Sequence, residues 1–389
     1  MITRQHIESN FFDSADEYRA AIDQSFDDPH EPRGVWQYFH VPHLYTYLRT
    51  RPVNLVPQAL VQRFEARLTD WTLEHMGLVP AATPMLHLMV NGCSLALHSD
   101  SQNGTFGCVW SLTRWTQRTF SGGETLLLHD GVHNYKRHHV HGDVLYDLVP
   151  PHYNQLVVFD DRIVHAVEPV QGGMDPKQGR VALICHLRPP SPVVDGALPA
   201  EVVRGTLAEF AARVRDESRA FSEVEGTLTY RLEIGRDGGV ESLQALLNGL
   251  VTPATGYAPS EPVKRAKGRL AELASGLEFP SAHGPTTVTF AMVLPVPTLE
   301  PLELTVPHAL EPAEASRRVT EALRLSDLRL RIDEASPLSY RISSPLIGEL
   351  RVREREVAAR IEAPMWLPAQ RARFEASLVG SLARALEIP

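Results

Sequence analysis

Two segments, Leu95-Ala-Leu-His-Ser-Asp100 and Leu156-Val-Val-Phe-Asp-Asp-Arg-Ile-Val-His165, each read as a strand ending in side chains able to ligate a metal. Successive strand residues point to opposite faces, so i and i+2 share one face, and His98 and Asp100 can both point inward at one ion. His165 supplies a third ligand from the end of the second strand. Two imidazoles and one carboxylate form the facial donor set of non-haem Fe(II) sites, which leaves open positions for reaction. A His-x-Asp pair by itself occurs often by chance. Its place at the end of one apolar strand, with His165 at the end of another, gives it weight.

Beyond His165 stands Arg180, followed by the apolar run Val181-Ala-Leu-Ile-Cys185, which reads as a further buried strand. A guanidinium aimed inward from a strand start clasps a carboxylate through two parallel hydrogen bonds. Taken singly, Arg180 would read as a surface charge at a sheet edge.

Six segments carry a family resemblance: His98-Ser-Asp100, Trp110-Ser-Leu-Thr-Arg-Trp115, Phe120-Ser-Gly-Gly-Glu-Thr125, Tyr153-Asn-Gln-Leu-Val-Val-Phe159, His165-Ala-Val-Glu-Pro-Val170 and Arg180. In this order they resemble the 2-oxoglutarate/Fe(II) oxygenases of the prolyl-4-hydroxylase-like type, over about residues 1–190. The resemblance implies a mainly β domain, a double-stranded β-helix or jelly roll with flanking helices. It also implies Fe(II) on His98, Asp100 and His165, 2-oxoglutarate held by Arg180, and O2 as oxidant. Many relatives place Ser or Thr two residues after the arginine, and here that position is Ala182, so the second anchor is to be sought elsewhere. Asn91 and Ser111, on neighbouring strands, are the candidates. Related halogenases lack the carboxylate ligand so that chloride can bind; Asp100 therefore points to hydroxylation, with release of succinate and CO2.

The formal net charge of -9 excludes a nucleic-acid backbone as an expected partner. Cys93, Cys108 and Cys185 lie in apolar, strand-like contexts without C-x-x-C spacing, as small buried hydrophobes of a reducing compartment do. No signal-type apolar core opens the sequence and no run reaches membrane-spanning length, so a cytoplasmic protein is expected.

Residues 1–195 form the expected oxygenase domain, with 1–80 a helical lead-in: Ala15–Asp23 and Leu60–Trp71 carry apolar residues at helical spacing. Between them Trp36, Tyr38, Phe39, Tyr45 and Tyr47 read as packing for the helices, or Tyr45, Tyr47 and Arg49 as a substrate-facing wall. The prolines of Leu187-Arg-Pro-Pro-Ser-Pro-Val193 end this unit in an extended linker, and residues 196–222 add a connecting helix over Thr206–Ser222. Residues 223–297 run β-β-α-β and resemble the C-terminal module of TonB-like proteins, which implies a binding role. Val306-Pro-His-Ala-Leu-Glu-Pro-Ala-Glu-Ala-Ser-Arg-Arg-Val319 and Trp366-Leu-Pro-Ala-Gln-Arg-Ala-Arg-Phe374, within residues 298–389, resemble small proteins of polyhydroxyalkanoate granule systems, which implies a second compact α+β module. Neither small α+β unit shows converging catalytic residues, and a protein partner is one expected use of them.

Three signals are set aside. His129, His133, His138, His139 and His141 are irregularly spaced around Lys136 and Arg137, as in a surface loop. Arg162 reads as a salt-bridged structural residue, and Glu124 as structural. The expected function is an Fe(II)- and 2-oxoglutarate-dependent dioxygenase that hydroxylates an unactivated carbon of an amino acid, a peptide or protein, or a small natural product. Two alternatives stand beside it: a catalytically silent barrel in a binding or scaffold protein, and a metal oxygenase that does not use 2-oxoglutarate.

Overall fold

The computed structural model describes residues 1–28, 36–129, 145–253, 256, 260–296, 302–325, 331–344, 347–362 and 368–386. They divide into two compact units, Met1–Leu294 and Pro295–Pro389. The first opens with β1 (Gln5–Ser9), α1 (Ala15–Gln24), a hairpin of β2 (Gln37–Val41) and β3 (Tyr45–Thr50), and α2 (Gln58–Met76). There follow β4 (Val79–Pro80), β5 (Met85–Met89), β6 (Ser94–His98), β7 (Phe106–Ser111), β8 (Phe120–Ser121), β9 (Thr125–Leu128), β10 (Tyr146–Val149), β11 (Gln155–Asp160), β12 (His165–Val167), β13 (Gln171–Gly172) and β14 (Arg180–Arg188). Ten strands form one path, β1-β11-β7-β14-β5-β3-β6-β12-β9-β10, with β2 added to β3 and β4 to β14.

Residues 1–80 are more than the helical lead-in expected of them. They contribute β1, β2 and β3, and β3 lies between β5 and β6. Tyr45, Tyr47 and Arg49 recur with a period of two, which a pleated strand satisfies and a helix does not, and aromatic residues favour strands. The two helices lie where the apolar spacing puts them, on the outer face of the sheet. On β7 and β14 the alternation is explicit: Phe106, Cys108, Trp110, Val181, Leu183, Cys185 and Leu187 join Phe11, Phe64 and Leu68 in one core. Trp110 stacks on Phe64 at 4.3 Å between centroids, and its indole donates to Asn154 Oδ1 at 3.0 Å. The other face of β14 presents Arg180, Ile184 and His186 to an interior cavity.

That sheet is strongly curled, and one contact demands it. Arg180 of β14 and Thr125 of β9 are five strand steps apart along the path, about 24 Å if the sheet were flat. Yet the Arg180 Nη2 donates to Thr125 Oγ1 at 3.3 Å. A curled antiparallel sheet with helices on its outside fits the mainly β, jelly-roll expectation for this region.

A second sheet lies in the same unit. β15 (Val193–Gly196), α3 (Ala200–Asp216), α4 (Ser218–Phe221), β16 (Gly226–Ile234), β17 (Val240–Asn248), α5 (Glu261–Ser275) and β18 (Thr286–Leu294) follow in turn, with strand order β15-β18-β16-β17. The expected boundary near residue 195 thus falls inside the first unit, on a strand paired with β18. Arg162 joins the two sheets: it pairs with buried Asp160 at 2.6 Å and donates to the Gly249 carbonyl at 2.5 Å. Thr229 Oγ1 donates to the Met76 carbonyl at 2.6 Å.

The second unit holds β19 (Leu302–Pro307), α6 (Pro312–Leu325), β20 (Arg331–Ser336), β21 (Ser339–Ser344), β22 (Ile347–Val352), β23 (Glu356–Glu362) and α7 (Pro368–Leu386), with strand order β19-β23-β22-β21-β20. Val319, Leu323, Leu350, Val357, Ile361, Leu378 and Leu382 fill its core. Among the described residues no helix is long and apolar enough to cross a membrane. The histidines from His133 to His141 lie outside the described residues.

Candidate active site

β6 and β12 pair antiparallel with His98 directly opposite His165, so the two imidazoles meet across the ladder at 4.3 Å between ring centroids. Asp100 follows β6, its backbone N–H donating to the Asp161 carbonyl at 2.9 Å. Its Oδ2 lies 3.6 Å from His98 Nε2 and 3.3 Å from His165 Nε2. The three side chains thus converge through single ligand atoms. Each histidine is fixed from behind: Nδ1 of His98 lies 2.7 Å from the Ala96 carbonyl, and Nδ1 of His165 lies 2.8 Å from the Ile163 carbonyl. A carbonyl accepts only from an N–H, so each Nδ1 carries a hydrogen and each Nε2 is the ring atom turned toward Asp100, free to ligate a cation once it gives up its proton, the arrangement metal-ligating histidines adopt. Burial pushes the Asp100 carboxyl up, but His165 and His98 outweigh it and hold the group below the usual carboxylate range. The donor set and its orientation suit one divalent cation of the Fe(II) type.

These residues line a cavity of about 610 Å³ that also reaches Arg180, Thr125, Arg49, Tyr45, Tyr47 and His87. Arg180 is buried, donates from Nε to the Gly123 carbonyl at 2.8 Å, and otherwise meets Met89 Sδ at 3.7 Å and Thr125. Burial lowers its pKa to about 10, against the pull of Glu124. No carboxylate among the described residues forms an ion pair with it. Its hydrogen bonds go only to neutral acceptors, which leaves the buried guanidinium able to take an anion. The Gly-Gly turn makes this possible: Gly122 and Gly123 have φ of 76° and 87°, and a Cβ on Gly122 would come within 2.1 Å of the Pro169 carbonyl oxygen.

The other sequence candidates separate. Tyr45 and Tyr47 line the cavity, with the Tyr45 ring 5.0 Å from His98 and Tyr47 stacked on His87 at 4.3 Å. Arg49 lines it too. Asn91 and Ser111 do not. Exposed Asn91 accepts from the Gly172 N–H at 3.0 Å, and buried Ser111 donates to the Pro151 carbonyl at 2.8 Å. Both side chains are spent on local backbone. The hydroxyl beside Arg180 is instead that of Thr125, directly after the Gly-Gly-Glu turn.

Three further groups escape sequence reasoning. His87, on β5, is buried and kept neutral, its pKa lowered to about 3 by burial and then by Arg180 and Arg49. His186, on the cavity face of β14, holds Asp161 through Nδ1 at 3.0 Å and points Nε2 at Asp100 Oδ2, 4.0 Å away. Burial raises Asp161 to about 6 despite His186. The one signal for His186 was parity: it lies an even number of residues from Arg180 on the same strand.

No protein-family model and no curated protein matches this chain. Solved structures that match part of this chain include a prolyl hydroxylase from Trichoplax adhaerens in complex with a hypoxia-inducible-factor peptide, at 13% identity and TM-score 0.33, covering 47% of this chain and 82% of that one. A Pseudomonas putida prolyl-4-hydroxylase matches at 16% identity and TM-score 0.31, covering 48% of this chain and 92% of that one. A 2OG-Fe(II) oxygenase-family oxidoreductase from Burkholderia pseudomallei matches at 16% identity and TM-score 0.33, covering 47% of this chain and 84% of that one.

Proposed function

We propose that the first unit is an Fe(II)- and 2-oxoglutarate-dependent dioxygenase that hydroxylates an unactivated C–H bond, with 2-oxoglutarate leaving as succinate and CO2. The observation that carries this reading is the convergence of His98 Nε2, Asp100 Oδ2 and His165 Nε2 in one cavity with a buried Arg180 that forms no ion pair among the described residues. Fe(II), when bound with the keto acid, supplies the activation of O2 that such a bond requires.

The chain's own residues have separable tasks. The Ala96 and Ile163 carbonyls hold the two imidazoles in the tautomer that presents Nε2. Asp100, kept ionised, gives the third ligand and one negative charge. Arg180 clasps the distal carboxylate of 2-oxoglutarate, with Thr125 Oγ1 beside it as the second anchor. Val109, Phe159, Val167 and Ile184 wall the cavity with apolar surface and keep water from the reacting groups.

The test is succinate formation from 2-oxoglutarate by the full chain supplied with Fe(II), O2 and ascorbate. Turnover is expected from the wild type and none from Asp100→Ala; equal turnover by both would reject the assignment.

A further inference from the structure

β3 brings a second guanidinium into the cavity. Tyr45, Tyr47 and Arg49 share one face of this strand by parity, and all three line the cavity. In the ladder Arg49 lies opposite His87, and His87 opposite Ala182. Arg49 therefore belongs to a row two residues, about 7 Å, along the strands from the row that starts with Arg180. Its guanidinium lies 4.0 Å over the Phe39 ring and close enough to the Tyr47 hydroxyl to pull against the burial that raises that group. Its Nε is buried with no hydrogen-bond partner, and among the described residues no carboxylate pairs with it.

Charge makes this arginine conspicuous. His186 faces Asp161 at 3.0 Å, Glu124 acts on Arg180, and His87 is neutral. Asp100 is the one carboxylate among the cavity-lining residues, and it faces His98 and His165. Arg49 thus has no carboxylate partner of its own among the described residues, and its buried Nε stands in a partly desolvated place, which is costly unless an anion joins it. Its planar fork matches a carboxylate. The surface around it, Phe39, Tyr45 and Tyr47, is aromatic, and the cavity volume of about 610 Å³ is that of a small-molecule site.

We infer that Arg49 determines substrate specificity and that the primary substrate is a small carboxylic acid with an apolar or aromatic body, its carboxylate clasped by Arg49 beside Phe39 and Tyr47. The inference rests on the dioxygenase reading for the reaction, but not for the binding, which needs no iron.

The experiment titrates phenylpropionate and phenylpropionamide into the full chain, metal-free and again with Fe(II) and 2-oxoglutarate under anaerobic conditions, following saturation-transfer NMR. The acid is expected to bind at least about tenfold tighter than the amide, as a charge-assisted bidentate pair allows. Arg49→Gln should erase that preference while changing 2-oxoglutarate affinity less than about twofold, and Arg49→Lys should keep part of it. Equal binding of acid and amide by the wild type overturns the inference, as does a preference that survives in a folded Arg49→Gln. Loss of 2-oxoglutarate binding in Arg49→Gln as large as the loss of acid binding also overturns it, by assigning Arg49 to the co-substrate. An acid preference that depends on Arg49, in a protein that binds no iron, would leave this inference standing and remove the dioxygenase reading.

Discussion

Two backbone carbonyls decide what His98 and His165 can do. With Nδ1 of each ring engaged by Ala96 and Ile163, only Nε2 is left for a cation. His98→Ala or His165→Ala should therefore cost more Fe(II) affinity than the about 10–100-fold lost when an outer partner is removed, measured by anaerobic titration; stoichiometric iron in either variant would mean other ligands. Binding should also depend on pH. Burial lowers the pKa of His98, but Asp100 and the Ala96 carbonyl outweigh it, so the group is held above the ordinary histidine value. The proton must leave Nε2 before a cation binds. Fe(II) affinity is thus expected to fall as pH drops through this raised pKa, starting at higher pH than for an ordinary histidine. In the metal-free protein the same proton stabilises the fold below the unfolded pKa, and that contribution is lost as pH rises through the folded one. Thermal melting against pH reads the sign; a metal-free protein that gains stability from His98 as pH rises would contradict it. Arg180→Gln should leave Fe(II) binding unchanged and raise KM for 2-oxoglutarate at least about tenfold; an unchanged KM would return the assignment to an oxygenase of another kind.

At the scale of elements, the Gly122-Gly123 turn sets the Arg180 pocket. Gly122→Ala forces a side chain into positive φ and against Pro169 at once, so it should destabilise by about 2 kcal/mol or more; a melting temperature within a degree of the wild type would show that the turn relaxes freely. This turn, the end of β6 and the start of β14 were legible in the sequence because parity and turn chemistry act over a few residues, whereas the single strand read from Leu156 to His165 is two: β11 ends at Asp160 and His165 opens β12. β3 was not legible. Its neighbours β5 and β6 come from residues far along the chain, and a dense aromatic run reads equally as helix packing until its partners are known. Thr125 and His186 were missed for the same reason: each matters through a strand that meets it only after the sheet curls. β20 and β21 of the second unit, Arg-Ile-Asp-Glu-Ala-Ser and Ser-Tyr-Arg-Ile-Ser-Ser, offer too few apolar positions for alternation to stand out.

For the whole molecule, the contact pattern gives the chain a first unit larger than the expected oxygenase domain. Arg162 on Gly249, Thr229 on the Met76 carbonyl, and the bridge between Ile2 and Leu247 hold the second sheet to the curled one. Residues 1–294 expressed alone are expected to unfold cooperatively and keep iron binding, whereas a chain ending at residue 195 would leave Arg162 without the Gly249 carbonyl and expose the apolar surface that Leu247 covers. Circular-dichroism melting of the two truncations checks this, and a stable, iron-binding 1–195 would put the boundary where the prolines suggest. The deciding measurement is an anaerobic optical titration of the full chain with Fe(II) and then 2-oxoglutarate. A weak visible charge-transfer band, absent with Fe(II) alone and lost in Asp100→Ala, is the predicted result, since it reports chelation of the keto acid to iron held by this triad. Bound iron without any band on adding 2-oxoglutarate would contradict the account.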